Sequence, residues 1–270
     1  MAALPAIGTL WSGGELRWLH RLALASFVAR GHAVTLYHTA EAPPEVPPGV
    51  ATAHARTVWG YDPALPDRFA PAPFADIFRL RMIRDTGALW ADSDMLCLQP
   101  FQPRAGYLLG LEEGRTINNA ALALPPDSGA LTGLIARFDD PAYVPEWLTH
   151  RAQARVRAAP PETRLATACT LKANALGPRA LTWMLDRTGE ARHALPQAAL
   201  YPVPWAFGDL YFNPHGGVDG WLTDETIGVH LFASRIRQAH WRARPHPASW
   251  IARFAREIGF ALDDLPARAA

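Results

Sequence analysis

Residues 85–100 read DTGALWADSDMLCLQP, a short apolar run that ends in two aspartates, Asp92 and Asp94. Carboxylates left unpaired at the tip of a buried strand would cost several kcal/mol or more. Something has to neutralise them. The preceding residues, PFADIFRLRMIRDT from Pro73, place Ile77, Leu80 and Ile83 at helical spacing behind an opening proline, with Gly87 near the end and ALWA (88–91) as a strand. The two carboxylates therefore sit where a strand runs out into a loop. The helix before them carries Asp76 and Arg79 three residues apart, so both side chains leave one face. Taken alone, that couple reads equally well as a surface ion pair worth at most about 1 kcal/mol. In the functional reading it brings a carboxylate and a guanidinium to the mouth where the other two carboxylates emerge.

Further towards the N-terminus, AIGTLW (6–11) reads as a strand, ELRWLHRLALASFVAR (15–30) as a helix closed by Gly31, and AVTLYHT (33–39) as a second strand. A β-α-β unit of this kind predicts a parallel sheet with ligands bound outside the carboxyl ends of its strands. Two proline-rich stretches, 42–50 and 62–73, read as surface loops around a short strand in ATAHARTVW (51–59). Strands are expected in YLLGLEE (107–113) and NNAALALP (118–125), and mostly helix from Pro145 to Arg187. The stretch 201–217 is read as loop, IGVHLFAS (227–234) as a late strand, and PASWIARFAREIGFALDDL (247–265) as an amphipathic helix.

The 270 residues, 49% of them hydrophobic, suffice for a packed core, and one domain is expected. A formal net charge of +1 gives no strong electrostatic drive towards nucleic acid, and no nucleic-acid-reading motif is present. Cys97 and Cys169 have no metal-ligand spacing and read as buried thiols in a reducing compartment. The N-terminus lacks signal-peptide features and no run reaches the roughly 20 apolar residues of a membrane span, so a soluble cytoplasmic protein is expected. Lys172 is the only lysine among many arginines, alanines and prolines, a composition that hints at a GC-rich bacterial genome.

A D-x-D alone is weak, because at roughly one aspartate in twenty residues about one would arise by chance in such a chain. Its placement gives it meaning. Two carboxylates at a strand end suit Mg²⁺ or Mn²⁺, which take oxygen ligands and are often completed by phosphate oxygens. Such an ion would offset their charge and also the charge that develops on a departing diphosphate.

At this point the segment ADIFRLRMIRDTGALWADSDM (75–95) resembles the sugar-binding region of glycosyltransferase family 32, whose pattern is D-x-x-R, a helix, G-G-x-Y or a variant, then D-x-D. The glucosylating clostridial toxins and yeast initiating mannosyltransferases share that arrangement. Gly87-Ala88-Leu89-Trp90 stands in place of the usual Gly-Gly-x-Tyr. TLWSGG around Trp11, ALGPRALTWML (175–185) and GVHLFAS (228–234) resemble the family's opening strand, its later G-P-x-x-x-T helix and its C-terminal histidine segment.

The resemblance implies an α/β, GT-A-like fold: a Rossmann-type nucleotide-binding sheet with helices on both faces and a looser, loop-rich acceptor half. Residues 1–270 would form one domain, with 1–125 mainly nucleotide-sugar-binding and 126–270 mainly acceptor half and C-terminal metal and phosphate segment. It further implies a retaining hexosyltransferase using a nucleotide sugar, UDP-linked first and GDP-linked second, with a saccharide or lipid-linked acceptor. Carried over residue by residue, Asp92 would contact the ribose and the metal, Asp94 and His230 would ligate the Mn²⁺ or Mg²⁺, and Asp76 and Arg79 would hold sugar hydroxyls and the phosphate side. Trp11 would stack on the base, and Asn119 would face the donor or acceptor sugar. Each has a plainer reading: Trp11 as a core tryptophan, His230 as a hydrogen-bonded core histidine, Asn118 and Asn119 as a turn-forming pair. Ser234 and Trp241 would reach the diphosphate, but ASRIRQAHW (233–241) replaces the family's Ser-Trp pair, and Arg235 or Arg237 would then take over.

Two rivals remain. A haloacid-dehalogenase-type phosphatase also places D-x-D after a strand, but position 96 is Leu where Thr or Val is usual. A catalytically silent sugar-nucleotide binder would also retain Asp76, Arg79, Asp92 and Asp94. The arginine-rich stretch 150–164 reads as a solvated face or as an approach for an anionic acceptor. Trp250, Ile251, Phe254, Ile258 and Leu262 read as packing on the domain, with peripheral contact at the inner face of a membrane as the alternative.

Overall fold

The computed structural model describes residues 3–62 and 64–266. Strand β1 (Ile7–Trp11) leads through helix α1 (Trp18–Ala29) into β2 (Val34–His38), and β3 (Val50–His54) follows beside it. All three run parallel, with Trp11 in register with His38 and His38 with His54. The expected β-α-β unit is therefore present, built because α1 is buried over most of its surface, with Leu19, Leu22, Leu24 and Phe27 in the core. A one-turn helix, α2 (Leu65–Arg68), and the start of α3 (Pro71–Thr86) occupy the second stretch read as loop. Helix α3 begins two residues earlier than its apolar pattern suggests because Pro71 takes the first helical position, where a missing N–H costs nothing. Gly87 ends it in the left-handed region at φ +66°, a conformation that a side chain would strain.

After α3 the chain returns across the sheet as β4 (Leu89–Ala91), parallel to β1 on the side opposite β2. Strands β5 (Met95–Cys97), β6 (Leu108–Leu111) and β7 (Ile117–Ala123) follow. The six-stranded sheet has the order β3-β2-β1-β4-β7-β6, with β7 antiparallel to both neighbours. The protein is thus an α/β fold with a mostly parallel sheet flanked by helices, consistent with the GT-A-like arrangement that the resemblance implies. The order of connection reverses between β1 and β4. That is the place where sheets of this kind bind ligands.

Asn118 and Asn119 lie inside β7 and not in a turn. A buried strand tolerates them because each amide has a partner: Asn118 Nδ2 donates to Glu112 Oε2 (2.8 Å) and Asn119 Nδ2 to Asp76 Oδ1 (2.9 Å).

Helices α5 (His150–Ala158), α6 (Arg164–Leu171) and α7 (Pro178–Thr188) fill the stretch expected to be helical, and α4 (Gly129–Asp139) and α8 (Gln197–Leu200) lie on either side of it. Arg151, Arg155 and Arg157 are exposed on α5 and only Val156 is buried. Residues 201–217, read as loop, contain a 3-10 stretch from Trp205 to Phe212. Strand β8 (Gly228–His230) leaves the main sheet and pairs antiparallel with β5, with Met95 opposite His230. Helices α9 (Gln238–Arg242) and α10 (Trp250–Glu257) close the chain. Helix α10 is shorter than expected, and Trp250, Ile251 and Phe254 are buried with Trp18, Leu22, Leu96 and Phe212. This apolar face is covered by the domain itself. Among the described residues no helix is long and apolar enough to cross a membrane.

Glu190 is a buried carboxylate with a structural task. It accepts from Ala130 N–H (2.8 Å), the Ser128 hydroxyl and Tyr107 OH (3.2 Å) at the start of α4, where unpaired N–H groups favour an anion. Burial alone would raise its carboxyl, but the hydrogen bonds from Ser128, Thr188 and Ala130 outweigh that and hold it below the ordinary glutamate value. A group depressed on folding contributes stability above its unfolded value and loses it as pH falls through the folded one. Glu190→Ala is expected to cost about 2–3 kcal/mol at neutral pH and to flatten the acid limb of the stability curve. Urea unfolding across the acid range checks this, and an unchanged acid limb would remove the linkage argument.

Candidate functional site

The carboxyl ends of β1 and β4 open onto a cleft of about 320 Å³, lined by Trp11, His20, Arg79, Trp90, Asp92 and Asp94 among others. The tertiary structure brings the N-terminal strand and the D-x-D loop to one place. A larger cleft of about 610 Å³, lined by residues such as Gln99, Arg104, Tyr107 and Glu225, holds none of the buried ion pairs described next. Size is therefore a poor guide to the chemistry here.

Asp76 and Arg79 are both buried, which excludes the surface-ion-pair reading. Arg79 Nη2 lies 3.0 Å from Asp76 Oδ1, Nη1 lies 3.1 Å from Asp92 Oδ1, and Nη1 also donates to the Asn119 carbonyl. One guanidinium thus bridges two carboxylates and a strand carbonyl, a use of the planar fork that an ammonium cannot copy. Burial raises the Asp76 carboxyl above its ordinary value against the pull of Arg79 and Asn119, and nearby Asp92 pushes the same way. Asp76 and Asn119 are buried beside Arg79, while the cleft wall itself carries Arg79. Trp90, standing where the resemblance has tyrosine, donates its Nε1–H to Asp92 Oδ1 (2.6 Å) and lies under the Arg79 guanidinium at 4.7 Å. The aromatic change keeps a polar handle for Asp92.

Gly177, the residue before α7, is required by this cluster. A methyl group there would lie 2.7 Å from Asp76 Oδ2, and the carboxylate is pinned by Arg79 and Asn119. Gly177→Ala is expected to cost about 1–3 kcal/mol through overpacking. An unchanged urea midpoint would show that the carboxylate yields freely.

Asp94 is held from the opposite side. His230 Nε2 lies 3.2 Å from its Oδ1, and Ala233 N–H donates to its Oδ2 (2.8 Å). Burial alone would raise the Asp94 carboxyl, but His230 and the Ala233 N–H hold it well below the usual carboxylate range. Burial likewise lowers His230, yet Asp94 brings it above the ordinary histidine value. Phe232, between them, sits in the left-handed region at φ +51°, an uncommon conformation for a non-glycine that turns the chain so that Ala233 can reach Asp94. The charge problem posed by the sequence is therefore met within the protein, Arg79 serving Asp92 and His230 with a backbone N–H serving Asp94. A divalent ion, which the sequence suggests for this task, would add to that neutralisation.

The same groups fit a divalent ion. Ligand atoms of Asp92, Asp94 and His230 all lie within 4.8 Å of one another, and two carboxylates with an imidazole make a donor set suited to Mn²⁺ or Mg²⁺. His230 Nδ1 is buried without a hydrogen-bond partner, so the ring's orientation is not tied down from its far side.

Trp11 is partly exposed at the end of β1, its Nε1–H given to Gly14 O (2.6 Å). Its ring lies 4.7 Å from His20, which stacks on Trp241 at 5.1 Å, and the Arg17 guanidinium lies over the Trp241 ring at 3.8 Å. His20 Nδ1 lies 3.3 Å from both the carbonyl and the hydroxyl of Ser93, between the two aspartates. Burial lowers His20 below the ordinary value despite nearby Asp94. The sequence reading missed His20; the signal was a polar residue in the first turn of the helix that follows β1. Trp241 is locked in this stack. Ser234 is exposed one residue beyond Ala233, Arg235 lies over the Trp205 ring at 4.4 Å, and Arg237 is paired with Asp209 at 2.6 Å. Of the phosphate contacts expected in this segment, Trp241 is buried and Arg237 is already engaged.

No protein-family model and no curated protein matches the chain. Among solved structures it is similar to the PaToxG glycosyltransferase, at 12% identity over 70% of this chain and 72% of that one, with a TM-score of 0.44. A likeness at that score assigns neither family nor activity.

Proposed function

We propose that the protein is a metal-dependent retaining glycosyltransferase that moves a hexose from a nucleotide sugar, UDP-linked in preference to GDP-linked, to a saccharide or lipid-linked acceptor. The observation that carries this reading is the meeting of Asp76 and Arg79 with Asp92, Asp94 and His230 at the point where the sheet's connections reverse, beside Trp11. In this reading Asp94 and His230 ligate the ion, Asp92 contacts it and the ribose, and Trp11 stacks on the base. Arg79, backed by Asp76 and Asn119, holds the sugar and phosphate end of the donor. Ser234 lies near enough in sequence to Ala233 to approach the diphosphate. A bound divalent ion would offset the charge that builds on the departing nucleotide diphosphate.

Asp76 is spent on Arg79 and Asn119, which supports a route without an enzyme nucleophile. The bond from the anomeric carbon to the phosphate oxygen breaks, and the acceptor oxygen bonds the same face. The acceptor proton passes to the leaving phosphate. Asp92 would need an uncommitted carboxylate to act as a phosphatase nucleophile, yet its Oδ1 already takes Trp90 and Arg79.

The test is a thermal-shift panel of UDP, GDP and CMP with and without Mn²⁺, followed by donor hydrolysis. Ligand at a hundred times its dissociation constant stabilises by about 2.7 kcal/mol, so a metal-dependent shift with one nucleotide is expected. No shift with any nucleotide, from folded protein, would sink the reading. A shift without hydrolysis or transfer would leave a silent binder.

A further inference from the structure

We infer that Trp205, Phe207 and Trp221 form a platform for the acceptor, and that this acceptor is a neutral saccharide bound by stacking of its pyranose ring. The inference rests on the glycosyltransferase reading above. These three are the large hydrophobic residues that stand exposed among the described residues, at 40%, 47% and 38%. Phe207 and Trp221 have ring centroids 5.6 Å apart, and Trp205, two residues before Phe207 on the same 3-10 stretch, lies under Arg235.

The stretch that carries two of them is anchored firmly on its other side. Gly208 packs so closely that a methyl group would lie 3.3 Å from the Leu231 carbonyl, Tyr211 is fully buried with its OH 3.5 Å from the His230 carbonyl, and Phe212 stacks on His240 at 4.0 Å. A stretch fixed in this way does not bury its outward aromatics by moving. Its fastening points are His230 at the end of β8, Leu231 just beyond it, and His240 in α9.

Position decides what the platform serves. The donor cleft is walled by residues between Leu10 and Asp94, from β1, α1, α3 and the D-x-D loop. The platform comes from 205–221 and touches Arg235, two residues beyond the Ala233 whose N–H holds Asp94. The platform therefore adjoins the segment from His230 to Arg235, which also holds Asp94 at the edge of the donor cleft.

Chemistry decides the class of ligand. Aromatic faces suit the C–H face of a pyranose, and tryptophan joins apolar area to a polar edge. An anionic membrane surface would instead select unpaired lysine and arginine. Here Arg237 is paired with Asp209 and Arg253 with Asp219, and Arg235 lies over the Trp205 ring, so the patch offers one exposed guanidinium where an anionic surface selects a cluster of basic residues.

The experiment uses the full chain with UDP and Mn²⁺. Calorimetric titrations with maltohexaose, cellohexaose, chitohexaose and mannohexaose are run on wild type, Trp205→Ala, Phe207→Ala, Trp221→Ala and the conservative Trp205→Phe, with the UDP thermal shift read on every sample. We expect one oligosaccharide to bind wild type, to weaken about tenfold in the alanine variants and to recover in Trp205→Phe, while the UDP shift stays unchanged. Failure of all four to bind, or binding indifferent to the three alanine changes, overturns the inference. So does sedimentation with phosphatidylcholine and phosphatidylglycerol vesicles that the alanine variants abolish, which would make the patch a membrane contact. Aromatic-dependent saccharide binding without any nucleotide shift would keep the platform and remove the glycosyltransferase reading.

Discussion

Arg79→Ala is expected to remove about 3–5 kcal/mol of folding stability, because it leaves the buried Asp76 carboxylate without its counter-charge and frees Asp92 at the cleft wall. Arg79 Nη2 meets Asp76 Oδ1 at 3.0 Å, Nη1 meets Asp92 Oδ1 at 3.1 Å, and Nε donates to the Ala75 carbonyl at 3.3 Å. Asp76 and Arg79 are both buried, so solvent screening offers little relief. The loss exceeds that from a surface pair several-fold. Urea unfolding of wild type and variant measures it directly, and a difference below about 1 kcal/mol would mean that water reaches the cluster on mutation. Arg79→Lys retains the charge without the fork, and is expected to recover only part of the stability while nucleotide affinity stays reduced. Asp76→Asn in the Arg79→Ala background should return part of the loss, since one of the orphaned charges is then gone.

Asp94→Asn is expected to abolish the metal-dependent nucleotide shift, about 2.7 kcal/mol at a hundredfold excess over the dissociation constant, and to leave the fold intact. The amide keeps an oxygen for the Ala233 N–H, so the charge, one ligand oxygen and the ion pair with His230 are what is lost. Two ligands, Asp92 and His230, would remain of the cluster. Thermal melts of the variant with UDP, with Mn²⁺ and with both provide the check, alongside far-UV dichroism for the fold. A variant that still responds to nucleotide and metal together would place the ion elsewhere. This outcome bears on the ligand set and is independent of the stability loss expected at Arg79.

The opposed effects follow from how differently the two aspartates of one motif are embedded. Asp92 is tied back into the sheet through Trp90 and Arg79. Asp94 faces the C-terminal segment through His230 and Ala233. Two residues apart on the turn between β4 and β5, their side chains answer to different parts of the molecule.

Local order was legible in the sequence because it is written in short-range periodicity. The β-α-β unit closed by Gly31, the helix through Ile77, Leu80 and Ile83, its stop at Gly87 and the emergence of Asp92 and Asp94 at a strand end all follow from residues within a few positions of one another. The tertiary structure alone decided what those residues meet. His230 reaches Asp94 across 136 positions because β8 leaves the main sheet to pair with β5, and Asn119 reaches Asp76 because β7 lies next to β4. His20 gained its place by stacking between Trp11 and Trp241, and Asp76 with Arg79 became a buried pair only once α3 was covered. Periodicity records which face of an element is apolar, but the partner of a buried charge is chosen by packing between segments distant in sequence, and no local pattern encodes that choice.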